Sequence, residues 1–513
     1  MQKKQTILVV ASLLVVVLSV TLAYFTAQII GKGKDVTINS ADLKIIFTDS
    51  DGSISGTNIE PGKWNVTKTF TIENKSNETY KYNIVIQDLV NTFVTNGYLQ
   101  YKITSTNGGY STDSYVDVPK SGTATDTILA YSASIDVGVT QTYTVEFIYK
   151  NDEDVDQSDD MGKTLSGKLF ITEGTEEPTL LSQILKDNPT RSTRSNNNNG
   201  TNDFATPLTT TTTGTLFTST ESITGITDSP KEVYYFAGNT TKNWVKFANL
   251  YWRIIRTNHD GSIRLLYVGT SHDTTGGNIG TSAFNTNHNS PKYVGYKYGE
   301  DTSLDTIRNN TTDSTIKTFI DSWYQNNLTN YTKYLSTSAV YCNDRSEGTG
   351  QTYNYTSSPS SKFNFAPYYR MDYDTDGAAA NPSYNCSDIR DAFSVDNTSA
   401  KLDYPVSLMT ADEIAFAGGV SYTQMSTPYA WFISNSAGSK VSSDWWSLSP
   451  IRWDGSYARV WGWNFGIAYL SNVNVGVASA VRLALSLKSC IKYSTGNGTY
   501  NEPYEIKETT SGC

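Results

Sequence analysis

The stretch LYWRIIRTNHDGSIRLLYVG, residues 250–269, predicts a β-hairpin in the C-terminal half of the chain. Trp252, Ile254 and Arg256 stand at every second position before the turn His259-Asp260-Gly261, and Ile263, Leu265 and Tyr267 do so after it. A period of two is typical of strands, and Asp-Gly is a common hairpin turn. We therefore expect a sheet with this hairpin in it.

Helical spacing appears on the C-terminal side of the hairpin. The run 313–328 has apolar residues three and four apart behind the cap candidates Asp313 and Ser314. Thr410 and Glu413 have the spacing of a capping box, and Gly418 can end that helix. The chain then closes on strands, so residues 220–513 are expected to form an α+β domain.

The N-terminal third has strand periodicity throughout. Runs 80–86 and 143–149 alternate Tyr, Ile, Val and Phe with polar residues. Residues 31–173 are therefore predicted to form an all-β sandwich. Between the two domains, residues 174–219 are rich in Asn, Thr and Ser, so we expect a flexible linker, with a short helix possible at LLSQILKDNP.

The first 30 residues are predicted to be a signal or anchor segment. Lys3 and Lys4 precede an apolar run over 7–25. Nineteen residues at 1.5 Å each can cross a bilayer core of about 30 Å. A cleaved signal peptide and a retained anchor both fit this pattern, and the weak cleavage site at Thr21-Leu22-Ala23 favours the anchor. The rest of the chain is expected outside the cell, attached to the membrane.

Composition narrows the class of partner. The chain of 513 residues has a net charge of -10 and no long basic run, which argues against nucleic acid. Its four cysteines all lie in the C-terminal half, where an even number in an exported chain indicates disulfides. Three pairings are possible; we expect Cys342 with Cys386 and Cys490 with Cys513, because each closes a local segment.

The N-terminal motifs LAYFTA and IEPGKWNVTKTFTIENKSN (59–77) resemble the camelysin and biofilm-matrix-fibre family of bacterial surface proteins. That resemblance implies an exported, jelly-roll-like sandwich over about 150 residues. The resemblance does not imply that this chain assembles into fibres, because no donor segment is visible in the sequence.

The C-terminal motifs resemble those of a C-type-lectin-fold variable domain, the kind that diversity-generating retroelements alter in phage and gut-bacterial proteins. The resemblance covers nearly all of 216–513. One difference is Leu483, where relatives commonly have proline. The motifs are YWRIIRTNHDGSIRLLY (251–267), YPVSLMTADEIAFAGG (404–419), WWSLSP (445–450), AVRLALSLKSC (480–490) and GNGTYNEPYEI (496–506).

That resemblance implies a hypervariable ligand-binding face from Ile451 to about Ala480. The segment combines Trp, Tyr and Arg with Asn, Ser and Gly, the mixture antibody loops use for binding. An extracellular protein or a glycan is the expected ligand. The candidate contacts are Arg452, Trp453, Asp454, Tyr457, Arg459, Trp461, Trp463, Asn464, Phe465, Tyr469, Asn472 and Asn474.

Three alternatives remain open at this stage. The alternating Trp461, Trp463 and Phe465 could be ordinary core of a strand. The chain could be a structural surface or fibre subunit without a distal ligand. It could also be an enzyme, but the cysteines are explained as disulfides and the three histidines have no recognisable catalytic motif, so we predict no catalysis.

No cofactor is expected, with calcium as the one candidate. DYDTDG places Asp372, Asp374 and Asp376 as at the start of an EF-type loop, but position twelve is Ser383 instead of Glu. The alternative is an exposed acidic loop, as also expected for NDEDVDQSDD (151–160).

Overall fold

The computed structural model describes residues 36–37, 43–47, 52–56, 59–197, 201–272, 277–353, 355, 361–371, 380–424, 431–432 and 443–513. Within them the protein is mostly β-structure, arranged in several sheets. The chain folds into two compact units, which we call unit 1 (Met1–Glu177) and unit 2 (Pro178–Cys513). Among the described helices, none is long and apolar enough to cross a bilayer. The predicted signal or anchor segment, 1–30, lies outside the described residues.

Unit 1 is a sandwich of two antiparallel sheets. One sheet has the order β1-β2-β4-β9-β6-β7 and the other β3-β10-β5-β8. The strands are β1 (Val36–Thr37), β2 (Leu43–Phe47), β3 (Ser53–Gly56), β4 (Asn65–Asn74), β5 (Tyr80–Asn91), β6 (Leu99–Ser105), β7 (Val116–Asp117), β8 (Ser121–Ile135), β9 (Thr140–Tyr149) and β10 (Leu165–Glu173), with a 3₁₀ turn at Ser158–Asp160.

The inner faces of both sheets form one core. Along β9 every second residue is buried, from Gln141 to Tyr149. Phe147 from this strand and Ile84 from the opposite sheet belong to the same buried cluster. The period-two interpretation of this third of the chain is confirmed, because one face of each sheet packs against the other.

Unit 2 contains two larger sheets and five α-helices among its described residues. The helices are α1 (Leu180–Asp187), α2 (Leu304–Ile307), α3 (Thr315–Asn327), α4 (Ala366–Met371) and α5 (Ala411–Phe416), with 3₁₀ turns at Pro291–Val294, Thr329–Tyr334 and Thr398–Ala400. The strands are β11 (Thr190–Thr193), β12 (Asn196–Asn197), β13 (Thr201–Asn202), β14 (Thr215–Glu221), β15 (Lys231–Tyr235), β16 (Trp244–Phe247), β17 (Leu250–Thr257), β18 (Ile263–Gly269), β19 (Thr281–Ala283), β20 (Lys297–Tyr298), β21 (Thr312–Asp313), β22 (Tyr341–Cys342), β23 (Phe363–Asn364), β24 (Ala392–Phe393), β25 (Val406–Leu408), β26 (Trp445–Trp453), β27 (Ala458–Asn464), β28 (Tyr469–Asn474), β29 (Ala478–Ala480), β30 (Leu483–Leu487), β31 (Tyr493–Thr495) and β32 (Tyr504–Ile506).

The predicted hairpin is confirmed as β17 and β18. Trp252 lies opposite Tyr267, and Ile254 lies opposite Leu265. The pair is central to a ten-stranded sheet, in which β16 flanks β17 and β30 flanks β18. Every residue of β18 is buried, because the strand is interior and both of its faces are covered.

Both predicted helix starts are confirmed. The backbone N–H of Lys317 donates to Ser314 Oγ at 3.2 Å, at the start of α3. At α5 the Thr410 side chain accepts from the Glu413 N–H at 3.1 Å, and the Glu413 carboxylate accepts from the Thr410 N–H at 2.9 Å. These reciprocal bonds satisfy donors that the first helical turn otherwise leaves unpaired.

The predicted linker at 174–219 differs from the structure. From residue 178 onward the segment belongs to unit 2. Leu180 and Ile184 of α1 are buried in the core of that unit, and β11 pairs in parallel with β14. The polar composition misleads because a few apolar side chains and backbone hydrogen bonds suffice to hold the segment on a sheet edge.

The cysteine pairing is confirmed. Cys342 bonds to Cys386, with Cα atoms 5.8 Å apart, and Cys490 bonds to Cys513, with Cα atoms 5.6 Å apart. The second bridge holds the end of the chain next to the 3₁₀ turn Thr329–Tyr334, where Tyr334 Oη donates to the Thr509 carbonyl oxygen at 2.8 Å. Disulfides are typical of an oxidising compartment.

Candidate ligand-binding face

The aromatic segment folds as an antiparallel meander of β26, β27 and β28. Arg459 of β27 lies opposite both Arg452 of β26 and Asn474 of β28. The meander belongs to a sheet with the order β19-β29-β26-β27-β28, and β23 pairs with β26. Regular pairing on both sides of β27 therefore fixes the direction in which its side chains point.

Three of the twelve predicted contacts are core residues, which corrects that part of the prediction. Trp453 and Trp463 are 2% exposed, and Trp461 is fully buried. The Trp463 ring centroid lies 6.4 Å from that of Trp445, with the rings stacked. Trp461 and Trp463 lie on the same face of β27 as Arg459, but they fail as contacts because Pro367 of α4 covers the first and Phe432 the second.

Four polar side chains form a row across the meander, which we call the polar row. It consists of Asn364, Arg452, Arg459 and Asn474, each directly opposite the next on paired strands. Directly opposite residues project from the same face of a sheet. All four are partly exposed, so one face of the sheet carries a line of hydrogen-bonding groups toward solvent.

A hydrogen-bond network extends from the polar row in both directions. Arg459 donates from Nε to Asp454 Oδ2 at 2.5 Å and from a terminal nitrogen to Asn472 Oδ1 at 3.1 Å. Asn472 Nδ2 in turn donates to the Tyr422 hydroxyl at 2.9 Å. Partial burial raises the pKa of the Asp454 carboxyl, but Arg459 and two backbone N–H groups lower it below its ordinary value overall. The carboxylate therefore stays charged and holds Arg459 in place.

Tyr422 is a site residue that the sequence analysis missed. It is 38% exposed, and its φ of +49° lies in the left-handed region, which is unusual for a bulky side chain. Its backbone N–H donates to the Leu470 carbonyl oxygen at 3.1 Å, beside β28. Backbone strain of this kind is concentrated at functional sites. No periodicity signals this residue, because it lies outside regular strands.

Tyr457 is the most exposed of the predicted contacts. It lies in the turn between β26 and β27 and is 40% exposed. Its ring centroid is 5.1 Å from that of His288, and its backbone N–H donates to Asp454 Oδ1 at 2.7 Å. The turn therefore exposes the Tyr457 phenol ring, which packs against the ring of His288.

The remaining predicted contacts lie at the other end of the meander. Asn464 is opposite Tyr469, and the Phe465 N–H donates to Asp444 Oδ1 at 2.7 Å. All three predicted residues are partly exposed. Tyr469 also lies near the network, with its ring centroid 6.0 Å from that of Tyr422. The structure thus brings most of the polar candidates to one sheet, but not into one cluster.

The calcium candidates Asp372, Asp374 and Asp376 lie outside the described residues. A different acidic cluster, Asp313, Asp321 and Asp403, is close enough to surround a cation. The Lys317 ammonium already lies among these carboxylates, at 3.0, 2.6 and 2.6 Å. This lysine side chain is fully buried, and the carboxylates raise its pKa against the effect of burial. The cluster is therefore an ion-pair network around a buried lysine.

One group of buried charges elsewhere in unit 2 is also paired. Arg256 contacts both Glu221 and Glu413 at 2.8 Å, and Arg264 contacts Glu413 at 2.6 Å. Burial acts to raise the pKa of Glu221, but Arg256 and His259 lower it to about 2. The cavity beside these groups has a volume of about 20 Å³, room for a single water. This arrangement is typical of structural ion pairs.

Comparison with known proteins finds no matching protein-family model, curated protein or solved structure.

Proposed function

We propose that this chain is an exported bacterial or phage-encoded surface protein whose unit 2 binds a protein or glycan through the meander face. The face consists of the polar row together with Asp454, Asn472, Tyr422 and Tyr457. The observation that carries the proposal is the separation of roles along β27. Its tryptophans lie in the core, while Arg459 projects from a regular, hydrogen-bonded sheet. A face held in this way loses little side-chain freedom on binding.

The composition of the face supports recognition. Tyrosine and arginine are enriched at protein interfaces, and asparagine supplies adaptable hydrogen bonds. The network from Asp454 through Arg459 and Asn472 to Tyr422 orients these groups before any ligand arrives. Pre-organisation of this kind improves affinity, because fewer side chains must be ordered on binding.

The finer assignments belong to the same proposal. Unit 1 would be a jelly-roll-like stalk, unit 2 a C-type-lectin-like α+β domain with a variable segment at 451–480, and residues 1–30 the membrane anchor. The order of motifs along unit 2 supports the lectin-like assignment. In the neighbouring DNA, a reverse-transcriptase gene and a near-copy of the region encoding 451–480 that differs at adenines would support diversification.

A ligand screen with matched variants tests the binding role. The detergent-solubilised full-length chain is applied to arrays of glycans and of extracellular proteins, together with the double variant Tyr422→Ala/Asn472→Ala. The control variant Ile226→Ala/Lys231→Ala removes an equal number of exposed side chains from the β14–β15 region. Hits of the wild-type chain should weaken about tenfold or more with the first variant and persist with the control.

Two results would contradict the proposal. Hits that persist unchanged in the Tyr422→Ala/Asn472→Ala variant would place binding elsewhere. If the only hit is the chain itself, the structural-subunit alternative is supported instead.

A further inference from the structure

One arginine of the polar row has no partner for its charge. Arg452 lies directly opposite Arg459 on the paired strand. Like charges in this position repel each other, so the pairing is unfavourable unless something offsets it. Arg459 is offset by Asp454, at 2.5 Å. Among the described residues, no group accepts a hydrogen bond from the Arg452 guanidinium, and none forms an ion pair with it.

The lack of a partner for Arg452 is significant because part of its guanidinium is buried. Its Nε is buried and makes no hydrogen bond, although the side chain as a whole is partly exposed. A buried donor without an acceptor is unfavourable, and solvent cannot reach it easily. Asn364 lies directly opposite Arg452 on the paired strand, and the Arg452 side chain is partly exposed there. A guanidinium has parallel N–H groups that match the two oxygens of a carboxylate.

Resting on the proposed function, we propose that Arg452 binds a carboxylate of an acidic segment of a partner protein. The ligand would supply the negative charge that Arg452 lacks, through a paired contact with an aspartate or glutamate side chain. The amides of Asn364 and Asn474, at the two ends of the polar row, would bind backbone groups of the same segment.

An aliphatic side chain beside the row favours a protein over an acidic sugar. Val477 is 48% exposed, and its backbone N–H donates to the Asn474 carbonyl oxygen at 3.0 Å, which places it next to the polar row. Exposed aliphatic groups pack against apolar side chains of a protein, whereas sugars stack on flat aromatic rings. The overall charge of the protein cannot explain the binding of an anion, because the whole chain has a net charge of -10 and repels anions.

Fluorescence anisotropy with defined probes tests this inference. Labelled hexaglutamate, hexaglutamine and polygalacturonate are titrated into the detergent-solubilised full-length chain at low and at physiological ionic strength. Wild type is compared with Arg452→Gln, Arg452→Lys and the control Lys231→Gln, which removes an exposed charge from β15. Hexaglutamate should bind wild type and the control equally and hexaglutamine should not bind. Affinity should fall about tenfold in Arg452→Gln and by less in Arg452→Lys.

Three outcomes would overturn the inference. They are equal binding of hexaglutamate by wild type and Arg452→Gln, no hexaglutamate binding by wild type, and Arg452-dependent binding of polygalacturonate without hexaglutamate. The last assigns the site to an acidic glycan. None of them affects the Tyr422→Ala/Asn472→Ala comparison, so failure here is distinguishable from failure of the proposed function. Circular dichroism and thermal unfolding verify that both Arg452 variants fold.

Discussion

The indole Nε1 of Trp461 donates a hydrogen bond of 3.3 Å to the carbonyl oxygen of Pro367. The tryptophan is in the middle of β27, and the proline is in α4. This contact directs one of the three tryptophans of the aromatic segment into unit 2 and ties the sheet to the helix packed on it. Arg459 and Asn464 of the same strand stay partly exposed.

Truncating Trp461 should therefore affect stability, and truncating Tyr457 should affect binding. We expect Trp461→Ala to lower the free energy of unfolding of unit 2 by about 3–5 kcal/mol, because it leaves a cavity in the core. Tyr457→Ala, at an exposed turn, should change it by less than about 1 kcal/mol. Urea unfolding followed by circular dichroism measures both. Similar losses in the two variants would mean that the turn is part of the core.

Asp454→Asn should strengthen binding of anions. The amide oxygen can still accept the backbone N–H groups of Ser456 and Tyr457, so the turn should persist. The substitution removes the negative charge beside Arg459. The guanidinium groups of Arg452 and Arg459 then lie side by side without a carboxylate to offset their charge. We expect hexaglutamate affinity to rise a few-fold, with a steeper dependence on salt. A fall in affinity would show that Asp454 acts mainly by positioning Arg459.

Glu221 makes the stability of unit 2 sensitive to acid. Its pKa is lowered from 4.5 to about 2 in the folded protein, so the folded state favours the charged form. The stabilisation is complete above pH 4.5 and is lost as the pH falls toward 2. In Glu221→Gln, the free energy of unfolding should be lower at neutral pH and fall less steeply over this interval. Parallel curves for the two proteins in urea unfolding at successive pH values would contradict this assignment.

The two disulfides should differ in how readily they are reduced. Cys490 and Cys513 are exposed, whereas Cys386 is 1% exposed. Mild reductant should therefore open Cys490–Cys513 first, as mass spectrometry of alkylated peptides would detect. Loop entropy predicts that removing the bridge that spans 44 residues lowers the free energy of unfolding by about 4 kcal/mol. For the bridge that spans 23 residues it predicts about 3.4 kcal/mol. Reduction of Cys342–Cys386 first would contradict the order.

Lys317→Met should leave three carboxylates together without their cation. Because Lys317 is fully buried, we expect a loss of up to roughly 3–5 kcal/mol in the free energy of unfolding at neutral pH. Lowering the pH should restore part of it, since protonation relieves the repulsion. Millimolar calcium should also restore part, because the oxygens then have room for an ion. A variant as stable as wild type would show that Asp403, with its side chain 57% exposed, lets the charges relax into solvent.

The local elements were predictable because their signals are local. The turn at Asp260-Gly261, the cap at Ser314 and the paired roles of Thr410 and Glu413 depend on neighbouring residues alone. The cysteine pairs followed from the same preference for short loops. These features needed no knowledge of which strands meet across the unit.

The candidate binding face was only partly predictable, because exposure depends on distant parts of the chain. From the sequence alone, Trp461 and Arg459 are equally good candidates for ligand contact. Only the packing of α4 against β26 and β27 shows that Trp461 is buried and Arg459 is partly exposed. Asn364 joins the polar row from a strand almost ninety residues earlier, through pairing that leaves no mark in its own sequence. Tyr422 lies outside the regular strands in a left-handed backbone conformation, which the composition of the sequence does not indicate.

The attachment of residues 178–197 to unit 2 determines where that unit can be cut from the chain. A fragment beginning at 220 would lack α1, β11 and most of β14. It would expose the apolar surface that Leu180 and Ile184 cover and leave β15 as an unprotected sheet edge, a site where copies stick together. Recombinant production of unit 2 by itself should therefore start near Pro178, even though the composition of 178–219 resembles that of a dispensable linker.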